Sequence, residues 1–392
     1  MEIIAKTFYG FEDILAEEIK QLGGTEIEIG NRAIRYEGSL RLLYESNLCL
    51  RTAISVISPI KKFSFRDQDD FKRKLSGIEF NRYMHVGNTF AVKGAIHTEH
   101  FSHSKYPILL VKDAIADFFR NSVGHRPSVS VGEPQIQFDV HINGDLCTLA
   151  LNSSGTSLFQ RGYRVDSGPA PLNEAIAAGL ILMSGWDRKS NFVDLFCGSG
   201  TIPIEAALIA NEIPPNIARK YYSFQYWPDF DRQMWQDILD KANHRPKRDL
   251  DFKIIGSDTS TDMIRIARDN ARALPLGKTL VFEAKDYRDQ TIPSGGGVMI
   301  SNPPYGKRFA EGDNDGFFAA LGTFLKKRML GYHCWILSSH SEAMTAIGLK
   351  HTENINIYDG GMDCEFRKYS IFEGSLKEHK TDKANESKQS AE

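Results

Sequence analysis

The sequence predicts an α/β fold: an open, mostly parallel sheet over residues 160–375, preceded by two smaller α+β units at 1–60 and 61–155. Three observations predict it. Residues 160–375 alternate short apolar strands with helical stretches, as an open α/β sheet does. A strand, a glycine turn and a helix, NFVDLFCGSGTIPIEAALIA at 191–210, stand near its head. Residues 1–60 run strand–helix–strand–strand–helix–strand, the ferredoxin-like plan.

The elements follow in order. Residues 2–8 alternate like a strand. Phe11, Ile14, Leu15, Ile19 and Leu22 recur at helical spacing, and Gly23-Gly24 ends that helix. Strands at 26–29 and 32–36 flank a Gly-Asn turn, followed by a helix at 40–50 and a strand at 52–57. In 61–155, strands are expected at 90–96, 136–142 and 146–151, with a helix at 108–119. In 160–375, strands are expected at 192–195, 253–257, 280–284, 297–300 and 332–337; two more, 354–358 and 363–372, pair as an antiparallel edge, making seven. Residues 376–392 are polar, with Leu376 their single large apolar side chain, and are expected to be a disordered tail.

Composition narrows the function. Hydrophobic residues make up 41% and charged residues 25%, as in ordinary globular protein. No apolar run is long enough to span a bilayer, and the acidic N-terminus is unlike a signal peptide. Five cysteines (Cys49, Cys147, Cys197, Cys334, Cys364) form no CxxC pair. That argues against zinc and disulfides and for a reducing cytoplasm. His97, His100 and His103 are spaced by three, but no further ligand motif accompanies them, so no metal site is assigned. The net charge of -2 names no nucleic-acid partner. Residues 61–126, however, hold 12 Lys/Arg against 7 Asp/Glu, densest at Lys72-Arg73-Lys74, a candidate phosphate-binding face. Nothing in the sequence fixes an oligomeric state.

The glycine turn carries a ligand signature. Asp194 ends its strand where open α/β sheets bind ligands. Gly198 and Gly200 let the backbone turn tightly and approach a ligand. The helix that follows offers free N–H groups to a carboxylate. Dinucleotide spacing fails, because Pro203 stands where a third glycine belongs. An acid before the turn suits a cation, such as the amino group of S-adenosylmethionine, better than a pyrophosphate. The next two strands also end in acids: Asp258 for ribose hydroxyls and Asp286 for an adenine amine.

The fourth strand ends in MISNPPYGKR, 299–308. An exocyclic base amine is a poor nucleophile because its lone pair is delocalised into the ring. Two acceptors on its hydrogens, the Asn302 side chain and the Pro303 carbonyl, turn that lone pair toward an incoming methyl group. Tyr305 offers a face on which a flipped-out base stacks. Catalysis of this kind is positioning and electrostatics, with no metal. Cys197 needs no covalent role.

Asn302-Pro303-Pro304-Tyr305 with residues 194–200 resembles the amino-methyltransferase pattern of nucleic-acid enzymes. HSKYPILLVKDAIADFF, 103–119, resembles the THUMP RNA-binding domain, which makes Lys105 a candidate RNA contact. LFQRGYRVDSGPAPLNEAIAAGLILMSGW, 158–186, resembles the linker and leading helix of THUMP-containing methyltransferases. SFQYWPDFDRQMW, 223–235, resembles a segment of the bacterial 23S ribosomal RNA guanine-N2 methyltransferases. The resemblance covers residues 1 to about 375. It implies ferredoxin-like, THUMP and Rossmann-like class I methyltransferase domains, and transfer of a methyl group to guanine N2 in 23S ribosomal RNA. It implies cofactor roles for Asp194, Gly198, Gly200, Asp258 and Asp286, and base-amine roles for Asn302, Pro303 and Tyr305. The larger enzyme of this type carries a second methyltransferase domain, whose activity is expected to be absent here.

Arg161 and Arg164, at the domain junction, are candidates for either RNA phosphate or a surface or interdomain salt bridge. Trp227, Phe230 and Trp235 are expected to pack a helix onto the catalytic sheet rather than stack bases. Three rival functions stay open: the same chemistry on transfer RNA or on an adenine, a non-catalytic RNA-binding assembly factor, and a nicotinamide dehydrogenase, which the glycine spacing disfavours.

Overall fold

The computed structural model describes residues 1–168, 171–244, 250–304, 314–359 and 361–372. Tyr305 and the expected tail at 376–392 lie outside the described residues. The chain divides into two compact units, 1–162 with 214–245 and 163–213 with 246–392.

The first unit begins with strands β1 (Glu2–Thr7), β2 (Thr25–Gly30), β3 (Ala33–Glu37) and β4 (Ala53–Ser64) and helices α1 (Glu12–Gln21) and α2 (Leu40–Cys49). β1 buries every second residue, Ile3, Ala5 and Thr7, the mark of a sheet covered on one face. α1 buries Leu15, Ala16 and Ile19 and stops at Gly23, whose φ of 94° suits a left-handed helix end. The strands pair antiparallel in the order β2-β3-β1-β4, as the ferredoxin-like plan requires.

The stretch that follows adds α3 (Gln68–Ser76), β5 (Phe90–His97), α4 (Lys105–Val123), β6 (Ile136–Asn143) and β7 (Leu146–Asn152). Its strands do not form a sheet of their own. β4 continues through residue 60, pairing with β1 over Ala53–Ile57 and with β7 over Ile57–Ser64, with a register shift between Pro59 and Lys61. A single seven-stranded sheet, β2-β3-β1-β4-β7-β6-β5, results. α3 lies where the sequence reading places no element. Asp67 caps it by accepting the Asp70 N–H at 2.8 Å, and Phe71 and Leu75 seat it at i, i+4.

The second unit contains α5 (Glu174–Met183), β8 (Asn191–Asp194) and α6 (Thr201–Ala210). After an insertion carrying α7 (Arg232–Asn243) come β9 (Ile254–Asp258), α8 (Thr261–Arg272), β10 (Leu280–Ala284), β11 (Gly297–Ser301), α9 (Asn314–Arg328), β12 (Tyr332–Ser338), β13 (Glu353–Asp359) and β14 (Met362–Ser370). All seven expected strands are present, ordered β10-β9-β8-β11-β12-β14-β13. The first five are parallel and β14 pairs antiparallel with both β12 and β13. Strand order reverses between β8 and β11, the switch point at which open sheets leave a crevice for a ligand.

The insertion overturns one expectation. Residues 214–245 pack on the first unit, not on the catalytic sheet. Phe224 stacks on Tyr44 of α2 at 4.3 Å between ring centroids, with Trp235 edge-on at 6.1 Å and Phe230 tilted at 5.9 Å. Trp227 is buried in the same core. The Asp231 N–H donates to the Tyr44 hydroxyl at 3.1 Å, and the Ser223 hydroxyl donates to the Gln135 carbonyl at 2.6 Å. Aromatic spacing announces burial but not which core receives it. Among the described residues no helix is long and apolar enough to cross a membrane.

Candidate active site

A cavity of about 270 Å³ opens in the second unit at the switch point, lined by Asp194, residues 196–199, Thr201, Ile202, Asp258, Asn302 and, from the chain entering the unit, Gly168, Pro171 and Leu172. Strands β8, β9 and β11 thus deliver the first acid, the second acid and the asparagine to one place, in the order the sequence implied.

The glycine turn is built for close approach. Gly198 and Gly200 have φ of 51° and 86°, which L side chains rarely adopt. A Cβ on Gly200 would lie 2.9 Å from the Cβ of Ala267 and from the ring of Phe282. α6 follows at once, fully buried, with no side chain capping its first turn; Pro203 sits there at no hydrogen-bond cost, because first-turn N–H groups have no helical partner.

Asp194 is 1% exposed. Its Oδ1 accepts the Phe196 N–H at 3.1 Å and the Ser301 hydroxyl at 2.9 Å. Burial, reinforced by the neighbouring Asp258 and opposed by these two hydrogen bonds, pushes the carboxyl up to about 7. Asp258 accepts the Gly198 N–H at 3.0 Å and the Ser260 N–H at 2.9 Å. It therefore braces the turn, with lone pairs to spare for hydroxyl donors. The Cys197 thiol is pushed well up by burial, then by Asp194 and Asp258, which keeps it neutral and unreactive. Asp286 stands apart from the cavity lining. Its oxygens accept three N–H groups of Arg288 at 2.8–2.9 Å, and these hydrogen bonds draw it below the usual carboxylate range.

Asn302 follows β11 directly. Its Oδ1 is buried without a hydrogen-bond partner and the residue lines the cavity. Such an acceptor costs about 1–3 kcal/mol, a cost repeatedly found at functional sites, where a ligand supplies the missing donor. Pro303 is buried beside it. A paired carboxylate site, a close-approach turn and an uncapped helix end fit S-adenosylmethionine, whose ammonium, carboxylate and ribose match them.

The candidate RNA contacts fare differently. Arg161 is fully buried; its guanidinium donates to the Leu158 carbonyl at 3.0 Å and to the Arg51 carbonyl. Arg164 pairs with Glu174 at 2.8 Å and also donates to the Leu172 carbonyl and the Thr201 hydroxyl, each at 3.1 Å. Arg161 is thus corrected to an internal role, and Arg164 is paired within the protein while its buried Nη1 has no partner. Lys72, Arg73 and Lys74 sit on α3, where Asp69 and Asp70 lie on the same helix within pairing distance. Basic side chains there complement the helix end. Lys105 is exposed at the start of α4. His100 lies 2.8 Å from Asp145, and among the described residues no group of three or more His, Cys, Asp or Glu could hold a metal ion.

Two residues that the sequence reading missed hold the site together. Ser301 links Asp194 to β11, and its signal was only adjacency to the Asn-Pro-Pro loop. Asn270 is 1% exposed on the core face of α8 with Ile264 and Ala267. A polar residue at an apolar-face position was the clue.

Comparison with known proteins agrees with this geometry. Residues 161–368 match a methyltransferase domain described as RMKL-like, residues 2–57 the RlmL ferredoxin-like domain, and residues 65–152 the THUMP domain. A ribosomal RNA large subunit methyltransferase K/L of Syntrophotalea carbinolica is 34% identical, over 93% of this chain and 53% of that protein. The chain thus spans about half the length of the K/L relative. The candidate RNA methyltransferase slr0064 of Synechocystis sp. is 32% identical, over 93% of this chain and 95% of that one. The crystal structure of SMU.472, a candidate methyltransferase with S-adenosylhomocysteine bound, superposes with a TM-score of 0.83 at 25% identity, covering 95% of this chain and 99% of the other. The chain belongs to the THUMP-containing, RMKL-like family of S-adenosylmethionine-dependent methyltransferases.

Proposed function

We propose that the chain methylates the exocyclic N2 amine of a guanine in 23S ribosomal RNA. The single observation that carries this reading is the buried, unpartnered Asn302 Oδ1 in a residue lining the cavity it shares with Asp194. An N–H donor is what that oxygen lacks, and a base amine is such a donor. Accepting from it, Asn302 localises the amine lone pair and fixes its direction. The cofactor supplies a methyl group already activated by positive sulfur, so the chain's share of the work is positioning. Asp194 and Asp258 give the site the negative charge that suits a cationic donor, in a water-poor setting where it counts most. Pro303 and Tyr305 complete the grip on the base in this reading, the first through its carbonyl and the second by stacking.

RNA as acceptor is supported by the THUMP match and by the name of the K/L relative, a large-subunit ribosomal RNA methyltransferase. Guanine N2 rests on the sequence resemblance around 223–235. The test offers the purified chain naked 23S ribosomal RNA, large-subunit assembly intermediates and transfer RNA with labelled methyl donor, then maps products by mass spectrometry. N2-methylguanine confined to 23S RNA is expected. Methylation of transfer RNA alone, or of adenine, overturns the assignment.

A further inference from the structure

The chain enters the second unit through residues 163–172, and Gly168, Pro171 and Leu172 of that strap line the cavity. Among its described residues the strap contains no regular structure, so something else must hold it. Asn270 does so with its whole hydrogen-bonding capacity of two donors and two acceptor sites. Its Oδ1 accepts the Val165 N–H at 2.8 Å and the Asp166 N–H at 3.3 Å. Its Nδ2 donates to the Asp166 carbonyl at 3.1 Å and to the Ser199 carbonyl at 3.1 Å.

The last of these bonds is the informative one. Ser199 belongs to the glycine turn, and its carbonyl shares a peptide group with the Gly200 N–H, which donates to the Cys197 carbonyl at 2.8 Å. That peptide is therefore pinned from both sides, once within the turn and once by Asn270. Farther along, Arg164 ties the strap's Leu172 carbonyl to Glu174 and to Thr201, the first residue of α6. Fit against α8 is tight as well: a Cβ on Gly168 would lie 2.7 Å from the Met263 sulfur.

We propose that Asn270 is a positioning residue for the cofactor: it joins the strap at 165–166 to the glycine turn at Ser199, so that wall and turn form one preorganised surface. An asparagine that touches no reacting atom would then set cofactor affinity rather than turnover, because its loss adds an ordering cost to every binding event. This goes beyond the acceptor assignment and does not depend on which base is methylated.

The experiment titrates S-adenosylhomocysteine into the full chain by calorimetry and follows amide hydrogen exchange with and without it. In Asn270→Ala, well below its melting temperature, Kd should rise about tenfold or more, with exchange faster at 163–168 and unchanged in β11. At saturating cofactor, kcat should stay within about threefold while KM rises. Asn270→Asp keeps acceptors for the 165 and 166 N–H groups but loses both donors, and should weaken binding about as much. A folded Asn270→Ala chain whose Kd stays within about twofold, even with a lowered melting temperature, overturns the proposal. Should neither variant fold, the wild-type chain decides: S-adenosylhomocysteine must slow exchange at 163–168, and unchanged exchange there overturns it equally.

Discussion

The Ser301 hydroxyl stands 2.9 Å from Oδ1 of Asp194, across 107 residues of sequence, and at the same time accepts the Leu195 N–H at 2.9 Å. One buried hydroxyl thus joins the strand that carries the cofactor acid to the strand that carries the Asn-Pro-Pro loop. Donor and acceptor halves of the site are held in register by side chains as well as by the β8–β11 pairing.

Ser301→Ala leaves the Leu195 N–H without its partner and removes one of two hydrogen bonds to Asp194. A loss of about 1–3 kcal/mol in unfolding free energy is expected, with weaker S-adenosylhomocysteine binding. Thermal unfolding and calorimetry check both; an unchanged protein on both counts denies Ser301 this role.

The raised Asp194 gives a pH dependence with a definite sign. An aspartate lifted from 3.8 to about 7 contributes stability that is complete below its unfolded value and is lost as pH rises through about 7. Cofactor binding runs the other way. Below about 7 the free carboxyl carries a proton that a docking ammonium must expel, so affinity should fall by about tenfold per unit on going from pH 7 to pH 5. Asp194→Asn should bind more weakly at pH 8 and lose that slope. Calorimetry across the range measures it, and identical slopes in both proteins would contradict the assignment.

Gly200→Ala combines a left-handed φ with two contacts near 2.9 Å, to Ala267 and Phe282. It should abolish cofactor binding and lower the melting temperature. Gly198→Ala meets no atom within 4 Å and bears only the backbone strain, about 1–2 kcal/mol. Comparison of the two melting curves separates crowding from strain.

The inserted segment makes a folding prediction. Residues 1–162 alone should expose the Tyr44 face, whereas adding 214–245 in trans should restore a cooperative unfolding transition. In the full chain, Phe224→Ala should cost about 3–5 kcal/mol. A fragment 1–162 as stable as the intact unit would show that the aromatic cluster contributes little.

Most of the architecture was legible because it rests on local periodicity. The alternation in β1, the helical spacing in α1 and the run from β8 through the glycine turn to α6 each announce themselves within a few turns of chain. Asp194, Asp258 and Asn302 were legible as a group because parallel strands in order present their carboxyl ends to one edge. What escaped the sequence depends on distant pairing. β4 crosses the expected boundary at residue 60 because β7, nearly a hundred residues later, extends its ladder. Arg161 and Arg164 left phosphate and salt bridge equally open because burial of a guanidinium needs carbonyls and a carboxylate that only the fold brings together. Asn270 and Ser301 left only faint local signals for the same reason: the groups they bond lie about a hundred residues away in the chain.

Asn302→Ala separates the grip on an amine from the hold of Asp194 on the cofactor beside it. Methyl transfer to 23S ribosomal RNA should fall by about a hundredfold to a thousandfold, a loss on the scale of removing one preorganised polar group, with S-adenosylhomocysteine affinity within a few fold of wild type. Methylation at the wild-type rate by a variant that still binds the cofactor would contradict it.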